Sequence, residues 1–169
     1  MTKKQRSLFP MAILVALAAP AAHAAQDCQP VFDAYAALLK VPVMKRTVTT
    51  PGMADPVEMI LTPEAFYSRT GAKDKWEKMP LNAATRAVMQ KAAPTPETVR
   101  ECRLIGPGEV DGVSGTAYEF TPPKMGAIPP GEKITVLLDD RTGLPLVETA
   151  LKAGTKVTSV YDGVSVPVP

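Results

Sequence analysis

Apolar positions along this chain change their spacing from one segment to the next. Leu8 to Ala19 is an almost unbroken apolar run, interrupted by Pro10. From residue 32 the spacing becomes helical: Phe32, Tyr35, Ala36 and Leu39 fall at i, i+3, i+4 and i+7. Pro30 suits the first turn of that helix, where its missing N–H is no loss, and Val41-Pro42 ends it. Beyond Pro42 the period drops to two. Val43–Thr50, Val57–Leu61, Phe66–Thr70 and Lys75–Met79 each predict a strand, separated by Pro- and Gly-containing turns. Helical spacing returns once, over Asn82 to Ala93, with Asn82 as N-cap and Thr85, Val88, Met89 and Ala92 on one side. The rest predicts a meander: Thr98–Ile105, a strand over Thr116, Tyr118 and Phe120, Lys133–Asp139, Leu144–Leu151 and Lys156–Asp162. Gly106-Pro107-Gly108 with Gly112, and Asp140-Arg141-Thr142-Gly143, predict turns between them.

About nine strands and two helices follow, in an α+β domain. Short connections favour antiparallel pairing of sequential strands. No repeat and no linker divides the chain.

The apolar amino-terminal run changes what counts as the working protein. Lys3, Lys4 and Arg6 precede it, and Ala22-His23-Ala24 follows with small residues at −3 and −1 of a cleavage site. That is the layout of a secretory signal peptide over residues 1–24. Its apolar core of about a dozen residues falls short of the roughly 20 needed to span a bilayer. Cleavage after Ala24 leaves residues 25–169 as a single domain, large enough for its own core and without a stable membrane anchor. The expected location is periplasmic, or secreted where the host lacks an outer membrane.

Charge then excludes one class of partner. Loss of Lys3, Lys4 and Arg6 takes the 19 bases below the 17 acids, so the net charge moves from +2 to about −1. A nucleic-acid binder would show a basic patch instead. Cys28 and Cys102 are the only cysteines. In an oxidising compartment they predict one disulfide, closing a loop of about 74 residues and limiting the unfolded state by roughly 4 kcal/mol.

Catalytic chemistry is not announced. The one histidine, His23, leaves with the leader, so imidazole triads and His-containing zinc sites are excluded from the mature chain. Asp139-Asp140 reads as a hairpin tip rather than a catalytic carboxylate pair. The glycines around Gly106 lack the spacing, the lysine and the following helix of a phosphate loop. No metal and no cofactor is expected, nor is the chain expected to be an enzyme.

The order of parts carries a resemblance. A helix, short strands and "KWEKMP" around Trp76 precede the second helix; "CRLIGPGEVDGVSGTAYEF", "LLDDRTGLPLVETAL" and "KVTSVYDGV" follow it. Over most of residues 29–165 this resembles the LolA-like superfamily: periplasmic lipoprotein carriers, the LppX and LprG lipid carriers, and the amino-terminal domain of RseB. The resemblance implies a curved antiparallel sheet, a half-barrel, with both helices packed on its concave face and an apolar space between. It implies a carrier for a lipid or other amphipathic ligand, with Tyr35, Met59, Phe66, Trp76, Met89, Tyr118 and Phe120 as candidate lining. The alternative it implies is an RseB-like interaction module whose partner is an envelope protein, contacted through exposed strands or through the 122–131 loop with Met125 and Ile128.

Overall fold

A computed structural model describes residues 28–110, 112–122 and 129–168. The expected leader with its cleavage site, and Met125 and Ile128 of the expected contact loop, lie outside the described residues.

Nine strands form a single antiparallel sheet: β1 (Met44–Thr49), β2 (Val57–Leu61), β3 (Ala65–Thr70), β4 (Glu77–Pro80), β5 (Arg100–Val110), β6 (Val113–Thr121), β7 (Ile134–Asp139), β8 (Pro145–Ala150) and β9 (Lys156–Val160). Their order is β4-β3-β2-β1-β9-β8-β7-β6-β5. Two meanders therefore meet where the first strand pairs with the last, with Arg46 opposite Ser159 and Val48 opposite Val157. The sheet is curved and stays open, with β4 and β5 as its edges. Helices α1 (Gln29–Leu38) and α2 (Ala83–Ala92) complete the α+β domain.

Turn chemistry sets the hairpins. The Thr62 hydroxyl accepts from the backbone N–H groups of Glu64 and Ala65, closing the β2–β3 turn. At the β7–β8 turn, Asp139 accepts from the Arg141 N–H at 2.9 Å and from the Thr142 hydroxyl at 2.6 Å. Gly143 takes the positive φ of 71° that the end of this turn demands.

The β5–β6 hairpin differs from the sequence expectation. Gly106, Pro107 and Gly108 do not make the turn; β5 runs through them, and the chain reverses only at Gly112. Pro107 is tolerated because β5 is an edge strand and needs no second partner. Gly115 explains the close approach of this hairpin to β7. A Cβ there would sit 2.9 Å from Leu137 Cγ and overlap the Leu138 carbonyl oxygen. We expect Gly115→Ala to cost about 1–3 kcal/mol in urea unfolding, as forced overpacking does.

Strand parity divides the side chains between two faces. The inner face is the one α1 covers. It carries Tyr118 and Phe120 of β6 and Ile134, Val136 and Leu138 of β7, packed against Cys28, Val31, Phe32 and Ala34. The buried stripe of α1 is Val31, Phe32, Ala34 and Leu38, whereas Leu39 is exposed. The helix is thus rotated from the Phe32–Leu39 stripe read in the sequence. The reason lies one turn earlier: Cys28 is bonded to Cys102 of β5 and fully buried, so the face through 28, 31, 32 and 35 must meet the sheet.

The outer face holds charged networks. Glu58 of β2 pairs with Lys45 of β1 and Arg69 of β3. Glu119 of β6 pairs with Arg103 and Lys133. Arg69 also lies over the Trp76 ring at 4.6 Å. Hydrogen bonding from Lys45, joined by Arg69, holds the Glu58 carboxyl below its usual 4.5 despite the opposing effect of burial. Hydrogen bonds from Thr142 and Arg141 do the same for Asp139, below 3.8. Both folded values are depressed, so the stability these groups confer is present above the unfolded values and is lost as pH falls through the folded ones. We expect the urea midpoint to drop below about pH 4.5, and the drop to be shallower in Asp139→Asn, read by unfolding at stepped pH.

Candidate functional site

The inner face is not filled evenly. Under α1, over β6 and β7, Phe120 and Val136 are 1% and 0% exposed, and a pocket of about 320 Å³ remains beside them, lined in part by Ala34, Ala37, Tyr118 and Leu138. Over β1, β2 and β3 the register puts Val48, Val57, Met59, Leu61 and Phe66 on the same face, and all five are only half-buried. Helix α2 does not seal this half. Asn82 caps it as expected, its side chain accepting from the Thr85 N–H at 2.9 Å, yet none of its residues is buried and Val88 is 67% exposed. Its Met89 faces Leu61, Leu38 and Leu39 across a pocket of about 140 Å³.

At the border of the two halves sits a polar cluster. Glu148 of β8 accepts hydrogen bonds from the Tyr35 hydroxyl of α1 and from Arg46 of β1, with which it forms an ion pair. Tyr161 donates to the Pro145 carbonyl. Burial, then the Glu148 charge, pushes the Tyr35 hydroxyl well above its usual value. Burial likewise pushes Tyr161 up to about 12, with Ser159 and Arg46 holding it back in part. Both phenols are therefore neutral donors across the physiological range. Arg46 Nε is buried and has no hydrogen-bond partner. A groove of about 530 Å³ opens at this end of the sheet, lined in part by Leu144, Leu146, Ser159 and Tyr161. Replacing Arg46 by Met strands the Glu148 carboxylate. As the pair is partly exposed, we expect a loss of about 2 kcal/mol in urea unfolding, below the full penalty for a buried ion.

The seven candidate residues fall into three places. Tyr35, Tyr118 and Phe120 lie together under α1, with the Tyr35 and Phe120 rings edge to face at 6.2 Å. Met59 and Phe66 share the open half of the inner face, and Met89 stands at its end. Trp76 is not with them. It packs against Ile60, Ala65 and Tyr67, whose parity is that of the outer face. Arg46 and Ser159 were not among the candidates. Their signal was present in the alternation of Met44, Arg46 and Val48, which puts a cation on an apolar face. Among the described residues no group of three His, Cys, Asp or Glu side chains comes together. No helix among them is long and apolar enough to cross a membrane.

A curved, open, nine-stranded sheet whose first and last strands pair at its centre, with one helix clamped on the inner face, is the architecture that the resemblance to the LolA-like superfamily implies. No protein-family model matches the chain, and no curated sequence is similar to it. Solved structures are. The lipoprotein LppX of Mycobacterium tuberculosis superposes with a TM-score of 0.55 at 14% identity, over 86% of this chain and 99% of that one. LprF from Mycobacterium bovis gives 0.52 at 12% identity, over 85% and 97%. At such identities the likeness establishes the fold, and function must be argued from the residues.

Proposed function

We propose that this protein is an exported, non-enzymatic carrier that binds a lipid or other amphipathic molecule along the open half of its inner face. One observation carries the reading. Five apolar, half-buried side chains of β1–β3 share one face of the sheet beyond the cluster that α1 covers. An apolar, largely pre-formed recess beside a few polar groups is the usual form of such a site. Met59, Phe66 and Met89 are the proposed contacts for the acyl part. Tyr35, Tyr118 and Phe120 form the rigid wall beside it. The leader over residues 1–24 would deliver the chain to the periplasm, where a water-soluble carrier has use.

The test is extraction of the mature protein, purified from that compartment, with organic solvent followed by mass spectrometry. Stoichiometric lipid is expected, and Met59→Ala/Phe66→Ala should lower it several-fold. A lipid-free protein that also binds no added amphiphile overturns the reading and leaves the envelope-protein module in its place. Trp76 fluorescence is expected to stay unchanged on ligand addition, because the ring sits on the opposite face under Arg69.

A further inference from the structure

The recess of about 320 Å³ between α1 and the β7–β8 turn shares no residue with β1–β3. Its charged lining is wholly acidic: Asp33 of α1, with Asp139 and Asp140 at the turn; among the described residues no lysine or arginine lines it. Arg141 is the nearest cation in sequence, but its guanidinium reaches only Asp139, at 4.0 Å, and it lines the neighbouring groove. Asp139 is satisfied by its own turn. Asp140 accepts from the Thr116 hydroxyl at 2.7 Å, and Asp33 from the Gln29 amide at 2.8 Å. Both donors are neutral, so these two negative charges are left uncompensated. Tyr118 supplies an independent sign. It is 7% exposed and lines the recess, and its hydroxyl bonds to no group among the described residues. Burial, then the Asp140 charge, pushes the phenol above its usual 10.0, so it stays protonated with an open lone pair beside that carboxylate. Buried polar groups are normally paired, and this one is directed at a hollow.

We propose that this recess binds a short primary alkylammonium ion, its N–H groups bonded to Asp33, Asp140 and the Tyr118 oxygen, and its methylenes resting on Ala34, Ala37 and Leu138. An ammonium carries three donors and no acceptor, which matches these three oxygens. Its bonds to the two carboxylates are charge-assisted. A bare metal ion fits less well, because among the described residues no three acidic groups come close enough to coordinate one. An anion is kept out by like charge. The volume lies at the small end of ligand pockets, so the aliphatic part is short. This site is separate from the open half of the inner face and does not depend on what binds there.

Amide-detected NMR titration of the isotope-labelled mature protein with n-pentylamine, at neutral pH and low salt, tests this. The comparison probes are n-pentanol, which has the same chain without the charge, and calcium. We expect pentylamine to bind about tenfold tighter than pentanol, with shifts centred on the amides of Ala34, Ala37 and Gly143. Asp33→Asn and Asp140→Asn should each weaken it about fivefold, the size of one charge-assisted bond in a partly exposed site. Tyr118→Phe, which keeps the ring, should weaken it about threefold. Pentanol binding as tightly as pentylamine overturns the inference, and so does a failure of both to bind. An affinity unchanged in the Asp33→Asn/Asp140→Asn double variant places the amine elsewhere and overturns the site. Calcium that displaces the amine at equal concentration makes the recess a metal site instead. Both acids are exposed, so their variants are expected to fold, and the amide spectrum shows it. If Tyr118→Phe does not fold, the two aspartate variants still decide.

Discussion

Phe120→Ala is expected to destabilise the protein by about 4 kcal/mol, measured as a fall in the urea midpoint at unchanged slope. The ring is 1% exposed and touches both layers of the closed half, lying edge to face with Tyr35 and packed among Val31, Phe32 and Val136. Its removal loses the transfer energy of a whole aromatic side chain and leaves a cavity that the clamped helix cannot collapse into. The comparison that gives the number meaning is Met59→Ala. Met59 lies on the same face of the same sheet, but in the half that α1 leaves open. Its truncation should cost no more than about 1.5 kcal/mol, because much of its surface is in water already. A reversed order, with Met59 the costlier site, would show that the open half is packed shut in solution.

Removal of the disulfide is the second large effect. Cys28→Ser/Cys102→Ser should cost about 4 kcal/mol, since the bridge closes a loop across a sequence separation of 74 residues. The local setting adds to this. Cys28 is fully buried at the start of α1, and that helix is tied to the sheet by the bridge, by the packing of Val31, Phe32 and Ala34, and by the Tyr35–Glu148 bond. Urea unfolding of the double variant measures the total. Near-ultraviolet circular dichroism at zero urea reports whether α1 has lost its fixed seat. Retention of full stability by the serine variant would mean that packing alone seats the helix.

Much of this fold is legible in the residues. Alternation such as Val57, Met59, Leu61 and Tyr118, Phe120 fixes both the strands and the face they present, because a period of two leaves no other choice. Asn82 announces a helix start by its chemistry, and the structure shows the cap bond. The misreadings have physical causes. The Phe32–Leu39 stripe of α1 lies a little too far round because it leaves out Cys28, which belongs to the buried face. Gly106-Pro107-Gly108 looks like a turn, and would be one in a central strand; at an edge, Pro107 has no second ladder to break. The resemblance implies Trp76 in the apolar lining, yet the outer face here has its own apolar patch with Ile60 and Tyr67, and Trp76 packs there.

The candidate site was less legible than the fold. Its apolar members follow from parity. Its polar members do not, since Arg46, Glu148, Ser159 and Tyr35 come from β1, β8, β9 and α1. Only the pairing of β1 with β9 brings them together, and no local pattern specifies a contact between residues 46 and 159.

That central pairing also constrains how the molecule is born. A ribosome makes β1 long before it makes β9. Until β9 emerges, β1 has one neighbour instead of two, and the amino-terminal meander cannot join the carboxy-terminal one. Contacts so distant along the chain form slowly. The two meanders can each form their own hairpins beforehand, but the single sheet closes its centre only once β9 has been made.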